Sequence, residues 1–276
     1  MDKKLKKREK IIAVDLGGTN LRVSLVSNNK ILRYIKNNTP KTKRELLKVL
    51  YDSIGILMSN DVIGIGVGSP GPLVNGIIKN PPNLPLKNFN LKRELEKRFH
   101  KKVVVENDVH CVALAELKLG CKKKNFIVFA FGTGIGGGII IDSKLYLGQG
   151  YAGELGHITL SNGKYFEDLW QENAKYIKEH FGKDILIKDL IKMKNKEADI
   201  IIESISDHMG QGIASAINIF DPEVVILNGG IKETGDLLLD RIKKHARKHI
   251  ILPRDTPIVW TKLEHPGTLG ASLLIK

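Results

Sequence analysis

The stretch Asp15-Leu16-Gly17-Gly18-Thr19-Asn20 follows a short apolar run, 11–14, and precedes a second one, 21–26. A β-rich run that ends in a carboxylate and continues as Gly-Gly-Thr is typical of a turn that handles phosphate. Glycines let backbone N–H groups approach an anion, a hydroxyl adds a donor, and a carboxylate can hold hydrated Mg²⁺. Because apolar sequence resumes directly, we expect this turn to join two strands, unlike the strand-to-helix turns of P-loop and dinucleotide-binding folds. An ordinary glycine-rich hairpin is the alternative interpretation.

A second glycine turn occurs in the other half of the chain. An apolar run, 126–131, leads into Gly132-Thr133-Gly134-Ile135-Gly136-Gly137-Gly138, and a further apolar run, 139–141, follows it. The repetition of strand, glycine turn and strand indicates two lobes built from related units. Two lobes that meet at a cleft, each with a phosphate-binding turn, would hold both ends of a nucleoside triphosphate.

Composition indicates a globular protein, since 42% of the 276 residues are hydrophobic and 27% are charged. No run approaches the roughly 18 apolar residues of a membrane helix, and the charged segment 1–10 does not resemble a secretory signal. We therefore expect a cytoplasmic protein without a membrane partner. The net charge of +14 could attract nucleic acid, but no aromatic residues alternate with the lysines. Most lysines fall on the polar faces of predicted helices, so we expect a solvated surface and no nucleic-acid partner.

Asp108 is the candidate catalytic base. The short apolar strand 103–105 runs into Glu106-Asn107-Asp108, and a predicted helix, 109–119, follows. Side chains between a strand and the next helix face the ligand cleft of α/β sheets. A carboxylate placed there can accept the proton of a substrate hydroxyl, an effect of about 10²–10⁴-fold in rate. The alternative interpretation is an N-cap for the helix, a role for which Asp is favoured.

In their order along the chain these motifs resemble the ROK family of sugar kinases, within the actin-like, Hsp70-like ATPase superfamily, from residue 12 to residue 271. The two glycine turns match the family's phosphate motifs, and Leu227-Asn228-Gly229-Gly230 matches its adenosine motif. The resemblance implies an α/β protein with the two-lobed actin-like, ribonuclease H-like ATPase fold, in which mixed sheets flanked by helices surround a central cleft. We expect a small lobe at 1–108, completed by the C-terminal helix 266–276, and a large lobe at 109–265.

The resemblance also implies ATP and Mg²⁺ as cofactors. Asp15 would organise Mg²⁺, through water. The nucleotide-binding residues implied by the three motifs are Gly17, Gly18, Thr19, Asn20, Gly132, Thr133, Gly134, Gly229 and Gly230.

Further motifs resemble the sugar-binding part of the family. Pro82-Asn83-Leu84 is similar to its sugar-contacting segment, and in its Glu-Asn-Asp motif, 106–108 here, the Asn binds sugar and the Asp is the catalytic base. Glu154-Leu155-Gly156-His157 matches its Glu-x-Gly-His motif. Short polar side chains supply the donors and acceptors that a hexose needs. The implied sugar-binding residues are Asn83, Asn107, Asp108, Glu154, His157 and Glu167.

The chain departs from the family after the Glu-x-Gly-His motif. Most members continue with a cysteine-rich segment that binds structural zinc together with the motif histidine. Residues 158–167 contain no cysteine, so only His157 remains of that ligand set. Because zinc needs about four ligands, we expect no zinc site. Zinc-free members with a similar pattern include archaeal broad-specificity hexokinases.

The activity that the resemblance implies is phosphorylation of a hexose at its 6-hydroxyl by ATP, with glucose or a related aldohexose or hexosamine as substrate. The family also implies a homodimer or higher homo-oligomer. A kinase for fructose, allose or N-acetylmannosamine is an alternative, because single hydroxyl contacts separate these sugars. A sugar-sensing repressor would need a helix-turn-helix domain, and only ten residues precede residue 11. An actin-like or chaperone-type ATPase leaves the sugar-side residues without a role.

Overall fold

The computed structural model describes residues 9–71, 73–74, 76–81, 83–160, 163–193 and 195–275. Most of the basic N-terminal segment therefore lies outside the described residues. The chain forms two compact units. Unit 1 comprises the described residues up to Gly120 and from Leu263 onwards, and unit 2 spans Cys121–Lys262. No helix of the described residues has the length and apolar character needed to cross a membrane.

Unit 1 contains the first glycine turn. Its strands are β1 (Lys10–Leu16), β2 (Asn20–Ser27), β3 (Lys30–Asn38), β4 (Val62–Ser69), β5 (Leu73–Val74), β6 (Ile77–Ile78), β7 (Phe89–Asn90) and β8 (Lys102–Asn107). The main sheet has the order β3-β2-β1-β4-β8, with β1 antiparallel to β2 and parallel to β4. Leu16 pairs with Leu21 across the β1–β2 hairpin, so the prediction that the first turn joins two strands is confirmed. The short strands β5, β6 and β7 form a small antiparallel sheet.

The helices of unit 1 are α1 (Lys43–Leu57), α2 (Leu91–Phe99), α3 (Asp108–Leu119) and the C-terminal α8 (Pro266–Leu273). Close packing against α8 explains why β4 has a glycine at position 66. A Cβ on Gly66 would lie 1.8 Å from the carbonyl oxygen of Ala271, and a Cβ on Gly270 would lie 1.7 Å from that of Cys111. Backbone-to-backbone contact of this kind is possible only at glycine. It holds α8 against β4 and α3, next to the residues that follow β8.

Unit 2 repeats the arrangement of the main sheet of unit 1. Its strands are β9 (Phe126–Phe131), β10 (Ile135–Ile141), β11 (Lys144–Leu145), β12 (Val224–Gly229) and β13 (Ile258–Trp260). The order β11-β10-β9-β12-β13 again combines antiparallel hairpin strands with parallel neighbours. Phe131 pairs with Ile135 across the second glycine turn, which confirms the predicted hairpin and the predicted internal repeat. The helices are α4 (Phe166–His180), α5 (Ile187–Leu190), α6 (Lys196–Phe220) and α7 (Asp236–Arg247), with 3-10 turns at Leu155–His157 and Gly230–Thr234.

The two units divide at a different residue from the predicted lobes. The sequence-based boundary followed Asp108 and assigned the next helix to the large lobe. In the structure α3 belongs to unit 1, and the chain passes into unit 2 only after Gly120. The physical reason is the packing of α3 against α8, which the glycine contact between Gly270 and Cys111 brings close. The return to unit 1 at Leu263 lies three residues before the predicted C-terminal segment.

Candidate active site

The first glycine turn is closed by its own backbone and by the end of β3. The Gly17 N–H donates to the Asn20 carbonyl oxygen (2.9 Å). The Thr39 hydroxyl donates to the Gly17 carbonyl oxygen (2.6 Å), and the Thr39 N–H donates to the Thr19 carbonyl oxygen (2.9 Å). Thr39 is buried, whereas Thr19 is exposed at the tip of the turn. Hydrogen bonds from the buried Thr39 therefore fix the turn, while its tip at Thr19 is accessible to solvent, as an anion-binding turn requires.

Asp15 is the last but one residue of β1, and Leu16 separates it from this turn. Its Oδ2 accepts a hydrogen bond from Arg22 Nη1 (3.0 Å), which lies opposite on β2. Gly267, in the first turn of α8, faces the carboxylate, since a Cβ at Gly267 would lie 3.4 Å from Asp15 Cγ. Burial raises the pKa of Asp15 above its ordinary value, against the opposing charges of Arg22 and His265. The effect of burial on the pKa of this carboxylate thus exceeds that of its ion pair with Arg22.

Asp108 is the first residue of α3, and Asn107 is the N-cap. Asn107 Oδ1 accepts from the N–H groups of Val109 (2.9 Å) and His110 (3.1 Å), so the alternative in which Asp108 caps the helix does not hold. Asp108 Oδ1 accepts from the Val109 N–H at 2.9 Å. Burial, and secondly the negative charge of Asp15, raise the pKa of Asp108 to about 6. The two carboxylates predicted from the sequence therefore lie close enough to repel each other.

Glu106 and His110 support this segment, and sequence reasoning gave neither of them a structural role. Glu106 Oε1 accepts from the Asn107 N–H (2.8 Å) and lies 3.0 Å from Nδ1 of the buried His110. Burial by itself would raise the pKa of Glu106, but the hydrogen bonds from His110 and the Asn107 N–H bring it below its ordinary value. The i,i+4 spacing of the two residues, with a charge pair possible at the start of a helix, was the available signal.

Asn83 belongs to unit 1 as well, in the loop between β6 and β7. Its side chain is exposed, and its backbone has a left-handed φ of 59°, which Asn tolerates better than most residues. Pro82, the first residue of the Pro-Asn-Leu segment, lies outside the described residues.

The second glycine turn, in unit 2, is held by side chains of α4. The Gly132 N–H donates to the Gly134 carbonyl oxygen (2.9 Å), which closes the turn. Trp170 Nε1 donates to the Gly132 carbonyl oxygen (3.0 Å), and the Ile135 N–H donates to Glu167 Oε2 (2.6 Å). Gly132 and Thr133 are exposed. Sequence analysis missed Trp170, although it follows Glu167 by three residues, the spacing of neighbours on one helix face.

The Glu-x-Gly-His segment forms the 3-10 turn in front of α4. The exposed Glu154 and His157 lie side by side, with 3.7 Å between Glu154 Oε2 and His157 Nδ1. The ring of Tyr165 lies 5.5 Å from that of His157, centroid to centroid. Both side chains are thus free to meet a ligand from solvent. Glu167 is placed differently, because its carboxylate lies against the second glycine turn.

The adenosine motif adjoins that turn through the sheet. Gly229, at the end of β12, pairs with Phe131, the residue before Gly132. Its φ is 117°, and a Cβ there would lie 1.9 Å from the Phe131 carbonyl oxygen, so only glycine fits. Gly230 is exposed, and a Cβ on it would meet no atom within 4 Å. Two of the three predicted nucleotide motifs therefore lie on adjacent strands of unit 2.

The donor set of unit 1 fits Mg²⁺. Oxygen ligands are the ones that Mg²⁺ prefers, and it is usually bound through one or two carboxylates and several waters. The half-buried Asp15 carboxylate provides such a donor, and the residue opposite it is a glycine with no side chain to block the approach of an ion. Within the described part of the chain, no group of three or more His, Cys, Asp and Glu side chains is arranged to hold a metal ion by itself.

A hairpin with a glycine turn in each of two repeated α/β units, and half-buried carboxylates in one of them, defines a protein of the actin-like ATPase fold. A solved structure confirms the fold: the ROK family glucokinase from Streptomyces griseus, in complex with glucose and AMPPNP, superposes with a TM-score of 0.85 at 26% identity, over 96% of this chain and 99% of that one. Residues 11–276 match the ROK family, so the chain belongs to it, as its sequence predicted.

The relatives of the chain are sugar kinases and regulators. The glucokinase of Thermotoga maritima is 29% identical over an alignment that covers 97% of each protein. The xylose repressor of Caldicellulosiruptor bescii is 28% identical, over 85% of this chain and 69% of the repressor. The family is therefore established, and membership by itself is compatible with a kinase and with a sugar-binding regulator.

Proposed function

We propose that the chain is an ATP- and Mg²⁺-dependent hexose kinase that phosphorylates the 6-hydroxyl of glucose or a related aldohexose or hexosamine. The observation that supports this most strongly is the state of Asp108, whose pKa is raised to about 6 at the start of α3. A general base must be ionised at the working pH and still attract a proton, and a pKa just below neutrality satisfies both needs. A regulator that only binds sugar has no need of such a group.

Asp108 would accept the proton of the sugar 6-hydroxyl as that oxygen bonds to the γ-phosphorus of ATP. The bond between the γ-phosphorus and the bridging oxygen then breaks, and ADP leaves with the electron pair. Transfer of this kind needs an aligned nucleophile, a base and compensation of the phosphate charge. Bound Mg²⁺ supplies part of that compensation, and Asp15 is the residue that would hold it, through water. The N–H groups of the two glycine turns would supply the rest.

The sugar would be recognised by side chains whose remaining hydrogen-bonding capacity the structure defines. Asn107 uses Oδ1 to cap α3, so its Nδ2 group is left as a donor to a hydroxyl. The exposed Asn83, Glu154 and His157 provide further donors and acceptors. We propose that the protein functions without zinc, and that contact with Glu154 and Tyr165 would orient His157 instead.

The experiment that tests the kinase is a coupled assay of ADP release with glucose, mannose, glucosamine, N-acetylglucosamine, N-acetylmannosamine and fructose. We expect turnover with at least one aldohexose. Asp108→Ala should lower kcat by about 10²–10⁴-fold because the base is lost, while the protein folds and binds ATP. Asp142→Ala, at an exposed turn of unit 2, is the matched control and should retain full activity.

Two results would contradict this proposal. Binding of a sugar without phosphorylation of any of the six would favour a regulator over a kinase. Near-normal turnover by Asp108→Ala would remove the assigned base. Zinc is tested separately by metal analysis of protein purified without chelator, for which we expect far less than one zinc per chain; stoichiometric zinc would contradict that part.

A further inference from the structure

We propose that Glu167 is a positioning residue for the second glycine turn, and that it acts with Trp170 to set the nucleotide affinity. The resemblance to the family implied sugar binding for Glu167. Under the proposed function, both roles serve the same reaction, but they predict different losses when the carboxylate is removed. The contacts of α4 with the turn favour the positioning role.

The two side chains hold opposite ends of the turn. Glu167 and Trp170 are one helical turn apart near the start of α4, where Trp170 is buried and Glu167 half-buried. Glu167 Oε2 accepts from the Ile135 N–H at 2.6 Å, and Trp170 Nε1 donates to the Gly132 carbonyl oxygen at 3.0 Å. A rigid helix thereby fixes Gly132, the first residue of the turn, and Ile135, the residue that follows the turn.

Planarity of the peptide bond transmits these contacts to the rest of the turn. The peptide between Gly134 and Ile135 is held at both ends, since its N–H donates to Glu167 and its carbonyl oxygen accepts from the Gly132 N–H. The carbonyl of Gly132 points to Trp170, so the N–H of Thr133 in the same peptide points away from it. The exposed N–H of Thr133 is therefore oriented before any phosphate arrives, which reduces the entropy lost on binding.

Two glycines leave the space that the Glu167 carboxylate occupies. A Cβ on Gly134 would lie 2.4 Å from Glu167 Oε2, and one on Gly156 would lie 3.2 Å from the same oxygen. Gly156 belongs to the Glu-x-Gly-His segment, and its Cβ would also lie 2.5 Å from the Ile135 carbonyl oxygen. The carboxylate thus fits between two of the predicted motifs, with its other oxygen accepting from Gln171 Nε2 at 3.2 Å.

The test measures nucleotide and sugar binding separately, in the full-length protein. AMPPNP with Mg²⁺ is titrated calorimetrically without sugar, and KM is then determined for ATP and for glucose. Glu167→Ala should weaken AMPPNP binding about tenfold and raise KM for ATP, because a hydrogen bond from a backbone N–H to a charged acceptor is lost. KM for glucose should change less than about threefold. Glu167→Gln keeps an acceptor for the Ile135 N–H and should restore most of the affinity.

A control variant and a second test variant distinguish a specific loss of nucleotide affinity from a general loss of folding. Glu172→Ala, on the same helix, removes an exposed carboxylate paired with Lys164 and should leave both affinities unchanged. Trp170→Phe should weaken AMPPNP binding about threefold by the same mechanism. Weaker glucose binding by Glu167→Ala with unchanged AMPPNP affinity would assign Glu167 to the sugar and overturn the proposal. Because AMPPNP binding is measured without turnover, this outcome is distinct from failure of the kinase assay.

Discussion

The two glycine turns have similar backbones and different supports. Each joins antiparallel strands at the same place of a repeated sheet, and each is closed by an internal hydrogen bond, from Gly17 to Asn20 and from Gly132 to Gly134. The first turn is anchored by Thr39, which follows the neighbouring strand β3. The second is anchored by α4, which begins only nine residues after His157. The first turn is thus supported by a residue next to its own sheet, and the second is supported by a helix.

The turns also differ two residues before their first glycine. Asp15 occupies this position before the first turn, whereas Ala130 occupies the equivalent position before the second. Asp15 and Asp108, the proposed Mg²⁺ holder and the proposed base, are both in unit 1. Under the proposed function, the metal and proton chemistry would belong to unit 1, while the second turn would contribute oriented backbone N–H groups. Each of the following predictions tests one side of this division.

Among the variants that test this division, Asp15→Asn has the largest expected effect. Loss of the carboxylate removes the proposed holder of Mg²⁺, and kcat should fall about 10–100-fold, as is usual when an outer-shell partner of a metal is lost. The dependence of the rate on Mg²⁺ concentration should shift to higher concentration, while KM for glucose stays near its original value. Thr133→Val in the second turn is the control and should leave the Mg²⁺ dependence unchanged. An unchanged Mg²⁺ dependence in Asp15→Asn would argue against the division.

The pH profile of kcat/KM is the next largest effect. Asp108 must be deprotonated to accept a proton, and its pKa is about 6, so the activity should fall as the pH drops through 6, about tenfold for each further unit. Removal of the Asp15 charge takes away one cause of the raised pKa. The acid limb of Asp15→Asn should therefore move to lower pH. If the acid limb of the Asp15→Asn pH profile stays at the pH of the unmodified protein, the two carboxylates do not interact in the free enzyme.

Glycine substitutions in the two turns should affect different properties, namely stability in the first turn and nucleotide affinity in the second. A Cβ on Gly17 would lie 3.1 Å from the Asn20 carbonyl oxygen, which belongs to the rigid backbone of the turn. Gly17→Ala should therefore lower the free energy of unfolding by about 1 kcal/mol. A Cβ on Gly134 meets the end of the flexible Glu167 side chain, which can move aside. Gly134→Ala should keep its Tm and weaken AMPPNP binding about fivefold.

A double variant checks the cause of the Gly134→Ala effect. In the Glu167→Ala background the displaced carboxylate is absent, so Gly134→Ala should add less than about twofold to the loss of AMPPNP affinity. Fully additive losses of AMPPNP affinity would mean that Gly134 and Glu167 act separately. This result would contradict the proposal that α4 supports the second turn.

Local sequence signals predicted the hairpins and the position of Asp108, because glycine turns between apolar runs and a polar residue between strand and helix leave short-range patterns. The choice of Asn107 over Asp108 as N-cap could not be predicted, since both residue types cap helices well and they are adjacent. The position of Glu167 depends on a contact with Ile135, 32 residues away along the chain. No pattern of spacing encodes such a contact.

The assignment of α3 to unit 1 could not be predicted from the sequence for the same reason. It depends on the packing of Gly270, near the C-terminus, against Cys111, and on that of Ala271 against Gly66. Tertiary contacts over such separations decide which unit a helix joins, and they can override a boundary drawn from the order of motifs alone.

The smallest expected effect concerns the anchor of the first turn. Thr39→Val keeps the shape of a buried side chain and removes the hydrogen bond to the Gly17 carbonyl oxygen, so the free energy of unfolding should fall by about 1 kcal/mol and Tm by roughly 2–4 °C. Thr268→Val is the matched control, because the buried Thr268 hydroxyl has no hydrogen-bond partner among the described residues. Its removal should leave Tm unchanged or raise it. Equal losses in the two variants, measured by thermal unfolding, would show that the hydrogen bond to Gly17 does not anchor the first turn.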